Sequence, residues 1–217
     1  MSANFTIFQC SNIDCMFRCP QSPTDHALEH CPLCGSDGVK TEYDFPSPEE
    51  SNVFRPHNFR RVEVLLDNLR SVYNVGSVFR TSDGAGISRL YLGGYTSTPD
   101  HPKLKKTGLG SEVSVPWEHI RNGLDLVNYK KSDGFQIWSL ERTPEAVSIF
   151  SPALTIMDVP VLLVIGNEKV GVDPEILKVS DRIVSIPMAG QKRSLNVATA
   201  FGIAAYALIL YRAVHSE

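Results

Sequence analysis

All five cysteines of this chain lie within its first 34 residues, at Cys10, Cys15, Cys19, Cys31 and Cys34. Thiolates bind zinc in pairs, with two ligands from one tight turn and two from another completing a tetrahedron. The CPLC segment that begins at Cys31 has the spacing of one such pair. Disulfides of a secreted scaffold would instead be spread through the fold. The cluster therefore predicts a structural zinc site near the start of the chain.

The other pair of zinc ligands can be chosen in two ways. Cys10 ends a predicted strand, FTIFQC, as the first ligand of a zinc ribbon does. Fifteen residues separate Cys15 from Cys31, which suits the usual spacer, whereas Cys19 leaves only 11. The predicted ligands are Cys10, Cys15, Cys31 and Cys34. The alternatives are Cys19 in place of Cys10, and a cluster that is metal-free or redox-active.

The distribution of charge divides the chain into two parts. Residues 1–57 carry three basic and eight acidic side chains, whereas residues 58–217 carry 18 basic and 16 acidic ones. The segment that joins them, YDFPSPEESNVFRPHN, has three prolines and no apolar period, which is typical of a linker. We predict a zinc-ribbon-like domain at residues 1–45, a linker at 46–57 and a larger domain at 58–217.

Strand and helix patterns alternate through the larger part. Strands are predicted at residues 61–69, 89–94, 135–141, 159–167 and 182–188. The fourth, VPVLLVIGN, is apolar on both faces, as a central parallel strand should be. Helices are predicted after Asn74, at 117–131, at 173–179 and from 195 to about 214. This alternation predicts an α/β fold with a parallel sheet covered on both faces.

The composition narrows the class of protein. Hydrophobic residues make up 42% of the 217, enough for a packed core, and the net charge of −3 excludes a polycationic coat protein. The longest apolar stretch, residues 197–211, is shorter than the roughly 20 residues of a membrane span. No secretory signal pattern is recognisable at the N-terminus. We therefore expect a cytoplasmic protein without a membrane partner.

Three polar segments follow predicted strands: NVGSVFRTSDGAG from Asn74, IGNEKVG from Ile165 and IPMAGQKRSLNVATA from Ile186. In open α/β sheets, ligands bind beyond the carboxyl ends of the strands. The glycines do not fit the dinucleotide fingerprint, and the second segment lacks the Gly-Lys-Ser/Thr of a phosphate loop. The candidate site residues are Asn74, Arg80, Glu168, Ser194 and Asn196. Alternatively, Asn74 and Ser194 only cap helices and Arg80 only pairs with a surface acid.

In this order and spacing, the segments resemble the motifs of SpoU-type (TrmH-like) RNA ribose methyltransferases of the SPOUT superfamily. The matching stretches are NVGSVFRTSDGAG, LLVIGNEKVGVDPEIL and IPMAGQKRSLNVATAFGIAAYAL, and KKTGLGSE is similar to the family's intermediate loop. The resemblance covers essentially residues 58–217, whereas the cysteine-rich extension is not part of the common family core. It implies an α/β fold with a C-terminal trefoil knot, and a homodimer with active sites at the subunit interface.

The resemblance also implies the chemistry, which is transfer of a methyl group from S-adenosylmethionine to a ribose 2′-hydroxyl of tRNA or rRNA. The implied cofactor-binding residues are Leu140, Gly166, Asn167, Ile186, Met188 and Leu195. The implied catalytic residues are Asn74, Arg80, Ser194 and Asn196, with Glu168 either orienting another side chain or capping a turn. Because a guanidinium is a poor base, we expect Arg80 to hold a phosphate and polarise the hydroxyl.

Five basic residues are predicted to lie in loops and to form an RNA-facing patch: Lys103, Lys105, Lys106, Lys192 and Arg193. Two other functions remain open at this point. One is an RNA-binding module without turnover, and the other is a methyltransferase for a small molecule, which would show no salt-sensitive affinity for RNA.

Overall fold

The computed structural model describes residues 3–21, 27–45, 61–152, 154 and 159–215. The chain divides into two compact units, Met1–Arg55 and Pro56–Glu217. The predicted linker at 46–57 lies outside the described residues, so the domain boundaries stay predictions. Within the described ranges, no helix is both long and apolar enough to cross a membrane.

The first unit contains an antiparallel sheet of three strands, β1 (Ala3–Cys10), β2 (Arg18–Gln21) and β3 (Gly38–Phe45), with β1 in the centre. The strand predicted to end at Cys10 is confirmed. Phe8, Cys10 and Cys31 are buried in its small core. A side chain at residue 38 would overlap the Phe8 ring, so Gly38 allows β3 to approach. So small a core usually needs a staple such as a metal or a disulfide.

The second unit is built on seven parallel strands in the order β6-β5-β4-β9-β7-β10-β8. The predicted α/β class with a parallel sheet is confirmed. The strands are β4 (Val62–Asp67), β5 (Arg89–Gly93), β6 (Trp117–Ile120), β7 (Gln136–Leu140), β8 (Val147–Ser148), β9 (Val161–Ile165) and β10 (Arg182–Ser185). The helices are α1 (Val72–Ala85), α2 (Pro102–Gly108), α3 (Ser111–Ser114), α4 (Gly123–Ser132), α5 (Pro174–Val179) and α6 (Val197–His215).

Both faces of the central strands are covered, which explains the continuous apolar sequence of β9. Every residue of β4 and β9 is buried. On one face, Leu66 packs in a cluster with Phe79 of α1 and Phe201 of α6. On the other face, Leu65 packs with Val127 of α4 and with Ile176 of α5. The carboxyl ends of the strands are thereby held at one edge of a rigid sheet.

The helix predicted at 117–131 is wrong in its first part. Residues Trp117–Ile120 form the edge strand β6, which pairs in parallel with β5. The helix begins only after Asn122, whose side chain accepts hydrogen bonds from the backbone nitrogens of Leu124 and Asp125. The apolar spacing suggested a single helix, but it spans two separate elements. A local period cannot reveal that a segment pairs as a strand with distant residues.

The segment KKTGLGSE, similar to a loop in the family, is also different in the structure. It contributes to two short helices, α2 and α3, that flank Leu109 and Gly110. Pro102 lies at the start of α2 and the His101 side chain caps it, so the start of this helix has a recognisable signal. The C-terminal trefoil knot is not tested by the strand order and stays a prediction.

Candidate functional site

Glu168 connects the second motif to the start of α1. Its carboxylate oxygens accept hydrogen bonds from the backbone nitrogens of Arg70 (2.8 Å) and Ser71 (3.0 Å) and from Nδ2 of Asn74 (3.0 Å). An anion is favoured at a helix N-terminus because the first backbone N–H groups have no partner within the helix. Glu168 therefore both neutralises this helix end and orients the Asn74 amide.

The same contacts correct the expected cap of α1. Ser71, not Asn74, is the N-cap residue, and its hydroxyl accepts from the backbone nitrogen of Asn74 at 3.3 Å. In a capping box, the residue at the position of Asn74 would be a glutamate that bonds back to the N-cap nitrogen. Here Glu168 supplies that carboxylate from another loop. The Asn74 side chain is therefore available for a different contact.

That contact is with the third motif. Oδ1 of Asn74 accepts a hydrogen bond of 3.1 Å from Nδ2 of Asn196. Oδ1 of Asn196 in turn accepts from the backbone nitrogens of Ala198 and Thr199, so Asn196 caps α6. Ser194 lies before the helix and does not cap it. The structure thus joins Glu168, Asn74 and Asn196 in one chain of hydrogen bonds.

A cavity of about 400 Å³ opens next to these hydrogen-bonded residues, at the carboxyl ends of β7, β9 and β10. Glu168 and Ser194 are among its lining residues. Its wall includes every residue that the resemblance implied for cofactor binding: Leu140, Gly166, Asn167, Ile186, Met188 and Leu195. Residues from three loops, far apart in sequence, therefore face one space.

Gly166 has a steric reason to be glycine. A Cβ atom there would overlap the backbone of Gly171 and the backbone nitrogen of Val172. The loop after β9 folds back on itself at this point, and Asn167 and Gly171 exchange two backbone hydrogen bonds of 2.9 and 3.0 Å. Any side chain at residue 166 would push this loop away from the sheet and deform the cavity wall.

Asn167 lines the cavity, and its side chain holds the neighbouring loops together. Only 8% of the residue is exposed. Nδ2 donates to the carbonyl of Asn68 and to the hydroxyl of Tyr95, and Oδ1 accepts from the backbone nitrogens of Lys169 and Val170. The turn after β9 is therefore capped by Asn167, and Glu168 is not needed for that purpose.

Two residues of the cavity wall were missed from the sequence. Glu141 accepts a hydrogen bond from the backbone nitrogen of Val172, and Arg142 donates to the carbonyl of Arg193 at 2.9 Å. They tie the loop after β7 to the loops after β9 and β10. Their position at the end of a predicted strand was the available signal, because ligand sites form at that end.

The charge of Glu168 is stabilised at neutral pH. Partial burial raises the pKa of its carboxyl, but the N–H donors of Arg70, Ser71 and Asn74 outweigh burial, and the pKa lies below its ordinary value of 4.5. Both oxygens already accept hydrogen bonds. This carboxylate is accordingly suited to positioning and poorly suited to accepting a proton.

Arg80 is not brought into the hydrogen-bonded chain. It lies on the exposed side of α1, six residues and about 9 Å along the axis from Asn74. Within the described residues its guanidinium has neither a hydrogen bond nor an ion pair, so the alternative of a surface salt bridge is not supported. The predicted loop location of Lys103, Lys105 and Lys106 is wrong, because all three lie in α2.

The cysteine cluster in the first unit has the geometry of a closed metal site. The ligand atoms of Cys10, Cys15, Cys31 and Cys34 all lie within 4.8 Å of one another. The Sγ atoms of Cys10 and Cys34 are 3.5 Å apart, and those of Cys15 and Cys31 are 3.7 Å apart. A zinc–sulfur bond of about 2.3 Å gives tetrahedral edges of about 3.8 Å. The four thiols thus fit zinc, and Cys19 is not part of the group.

Comparison with known proteins decides the family. Residues 61–206 match the SpoU rRNA Methylase family. The chain belongs to this family. A SpoU relative from Aquifex aeolicus, a tRNA (guanosine(18)-2′-O)-methyltransferase, is 35% identical over 145 residues, 66% of each chain. The chain spans between about half and two thirds of the length of the curated relatives it matches. The resemblance inferred from the three motifs is confirmed.

Solved structures of SpoU proteins have the same fold. The crystal structure of the A. aeolicus TrmH/SpoU tRNA modifying enzyme matches with a TM-score of 0.63 at 31% identity, covering 72% of this chain and 79% of that one. The SpoU methyltransferase AviRb from Streptomyces viridochromogenes, in complex with AdoMet, matches with a TM-score of 0.63 at 27% identity, covering 84% and 71%. The family fold is therefore present in the second unit.

Proposed function

We propose that this chain transfers the methyl group of S-adenosylmethionine to a ribose 2′-hydroxyl of tRNA or rRNA. The observation that carries the proposal is the cavity at the carboxyl ends of the strands, next to the hydrogen-bonded residues Glu168, Asn74 and Asn196. Membership in the SpoU family supports the reaction class, since the A. aeolicus relative is named as a tRNA 2′-O-methyltransferase. The AdoMet complex of AviRb supports the cofactor.

The lining of the cavity suits S-adenosylmethionine, which consists of a nucleoside and an amino-acid tail. Leu140, Ile186 and Leu195 line the cavity with apolar side chains, and Gly166 lets the loop after β9 form its wall. When bound, the cofactor supplies an activated methyl group on a sulfonium. The residues of this chain then have to align the hydroxyl with that methyl and keep the geometry fixed.

The two asparagine amides are suited to hold the substrate sugar. Each Nδ2 carries two hydrogens, of which Asn74 uses one on Glu168 and Asn196 uses one on Asn74. One donor on each amide is left for the ribose or its phosphate. We assign Glu168 the role of a positioning residue, because its oxygens are occupied and its pKa is lowered.

Arg80 and Ser194 complete the proposed site. The guanidinium of Arg80, which has no partner among the described residues, is a planar donor for the phosphate of the target nucleotide. The hydroxyl of Ser194 has no hydrogen bond within the described residues and lies on the cavity wall. We assign this hydroxyl a hydrogen bond to the ribose 2′-hydroxyl, whose proton leaves to solvent.

Two further parts of the proposal concern metal and assembly. The four thiolates of the first unit would hold one zinc ion with a closed shell, which gives the metal a structural role and no catalytic one. We also infer a homodimer, as the family resemblance implies. Light scattering on the purified protein tests the assembly, with a mass of about 48 kDa expected from 24.0 kDa per chain.

Nucleoside mass spectrometry on RNA from a strain lacking the gene tests the function. One 2′-O-methylated nucleotide should be missing, and the purified protein with S-adenosylmethionine should restore it. Arg80→Lys keeps the charge but loses the planar fork, so it should retain little turnover. Near-normal turnover of this variant would contradict the phosphate role. Binding of RNA without binding of the cofactor in calorimetry would favour the RNA-binding module without turnover.

A further inference from the structure

Tyr95 presents an exposed aromatic ring at the rim of the proposed site. The residue is 61% exposed and follows β5 at the carboxyl edge of the sheet. Its hydroxyl accepts a hydrogen bond from Nδ2 of the buried Asn167, and its backbone nitrogen donates to Oδ1 of Asn68. Because Asn167 directly precedes Glu168, the hydroxyl end of Tyr95 lies one residue from the hydrogen-bonded chain that reaches Asn74.

The backbone around Tyr95 is anchored to the sheet. The buried hydroxyl of Thr96 donates to the carbonyl of Leu66 and accepts from the backbone nitrogen of Leu69, both at 2.9 Å. The backbone nitrogen of Gly94 donates to the carbonyl of Ile120 at 2.9 Å. The ring is thus fixed at its hydroxyl and at its backbone while much of its surface stays open. Such a ring can bind a planar ligand with little further loss of entropy.

The neighbouring groups match the other parts of a nucleotide. A second cavity, of about 350 Å³, adjoins the first and is lined by Arg70, Ser71, Asn74, Glu168 and Lys169. The exposed side chains of Arg70 and Lys169 supply positive charge for a phosphate. The amide of Asn74 supplies an N–H donor for the sugar. What this arrangement lacks for a nucleotide is a surface for the base. Tyr95 is tied to it by hydrogen bonds to Asn167, which precedes Glu168, and to Asn68, which is two residues before Arg70.

We propose that Tyr95 stacks on the nucleobase of the target nucleotide after that base has left its own stack. The inference rests on the proposed function, because it places the base relative to the methylated ribose. RNA-binding proteins commonly hold unstacked bases on tyrosine faces, and this contact tolerates many sequences. Tyr95 therefore acts in substrate positioning, and selection of the RNA sequence belongs to other contacts.

Tyr95→Phe and Tyr95→Leu test the stacking. Both variants lose the hydroxyl bonded to Asn167, and only the first keeps an aromatic face. Tyr129, 62% exposed near the end of α4 at the opposite edge of the sheet, provides the matched control Tyr129→Leu. The probe is total tRNA and rRNA from the strain lacking the gene. Affinity, kcat/KM for methyl transfer and the Kd for S-adenosylmethionine are measured for the full chain.

Tyr95→Leu should lose affinity for RNA and kcat/KM by roughly 5-fold to 100-fold, as expected for one stacked base. Tyr95→Phe should lose less than Tyr95→Leu because it keeps the aromatic face, and Tyr129→Leu should match the native protein. The Kd for S-adenosylmethionine should be the same in Tyr95→Phe and Tyr95→Leu, since both lose the hydroxyl bonded to Asn167. Equal losses in Tyr95→Phe and Tyr95→Leu would show that only the hydroxyl matters, which would overturn the proposal. The absence of a loss in both variants would overturn it as well. If the native protein transfers no methyl group, the proposed function fails, and the Phe–Leu difference in RNA affinity still decides the stacking.

Discussion

The side-chain amides of Asn74 and Asn196 are joined by a hydrogen bond of 3.1 Å, although 122 residues separate them in the sequence. Asn74 is fixed on its other side by Glu168, and Asn196 is fixed as the cap of α6. One contact therefore couples the N-termini of two helices that pack on the same face of the sheet. The orientation of each amide depends on the other, which makes the pair sensitive to changes that leave the fold intact.

Asn196→Asp is expected to separate capping from function. An aspartate still accepts from the backbone nitrogens of Ala198 and Thr199, so the stability of α6 should be preserved. It cannot donate to Oδ1 of Asn74 and should repel it. We expect methyl transfer to fall at least about tenfold, as for loss of one positioned donor, with little change in thermal unfolding. Asn196→Ala, the comparison variant, should lose about 1 kcal/mol of stability as well.

Glu168→Gln is expected to show a pH-dependent loss of stability. The pKa of Glu168 is lower in the folded protein than its ordinary value of 4.5, so its ionised form stabilises the fold at and above that pH. This stabilisation disappears as pH falls through the lower, folded-state pKa. Urea unfolding at several pH values should therefore show a gap between native and variant proteins at pH 7 that narrows below about pH 4.5. A constant gap would contradict this assignment.

Gly166→Ala is expected to damage the cavity. Its Cβ would overlap the backbone of Gly171 and Val172, which cannot move without opening the loop after β9. We expect weaker binding of S-adenosylmethionine in calorimetry and a lower melting temperature. Gly190→Ala is the matched control, since a Cβ there meets no atom within 4 Å. Similar behaviour of the two variants would mean that the close approach at Gly166 is unimportant.

Cys10→Ser and Cys19→Ser are expected to differ in metal content. Metal analysis of the native protein, purified with a reductant, should find about one zinc per chain. Cys10→Ser removes a ligand from the four-thiol group and should lower zinc content and the stability of the first unit. Cys19 lies outside the group, so Cys19→Ser should keep its zinc. The reverse result would exchange the roles of the two cysteines.

Local sequence determined much of this protein. The apolar run within residues 159–167 predicted a central strand, because a parallel strand covered on both sides is apolar on both faces. The spacing of the cysteines predicted which four of five would meet, since tight turns fix the position of each pair. The order and spacing of three polar segments indicated the SpoU family, and the match of residues 61–206 to the model of that family confirmed it.

Tertiary structure decided the contacts between distant residues. Residues Trp117–Ile120 form a strand because they pair with β5 at the edge of the sheet. The apolar spacing within the segment could not reveal this pairing. Asn74 looked like a helix cap until Glu168, 94 residues away, supplied the carboxylate at that helix end. Tyr95 was not identified from the sequence, because its position at the site is set by a hydrogen bond from Asn167, 72 residues away. Local patterns record propensity and burial, whereas hydrogen bonds between loops exist only once the sheet has brought its carboxyl ends together.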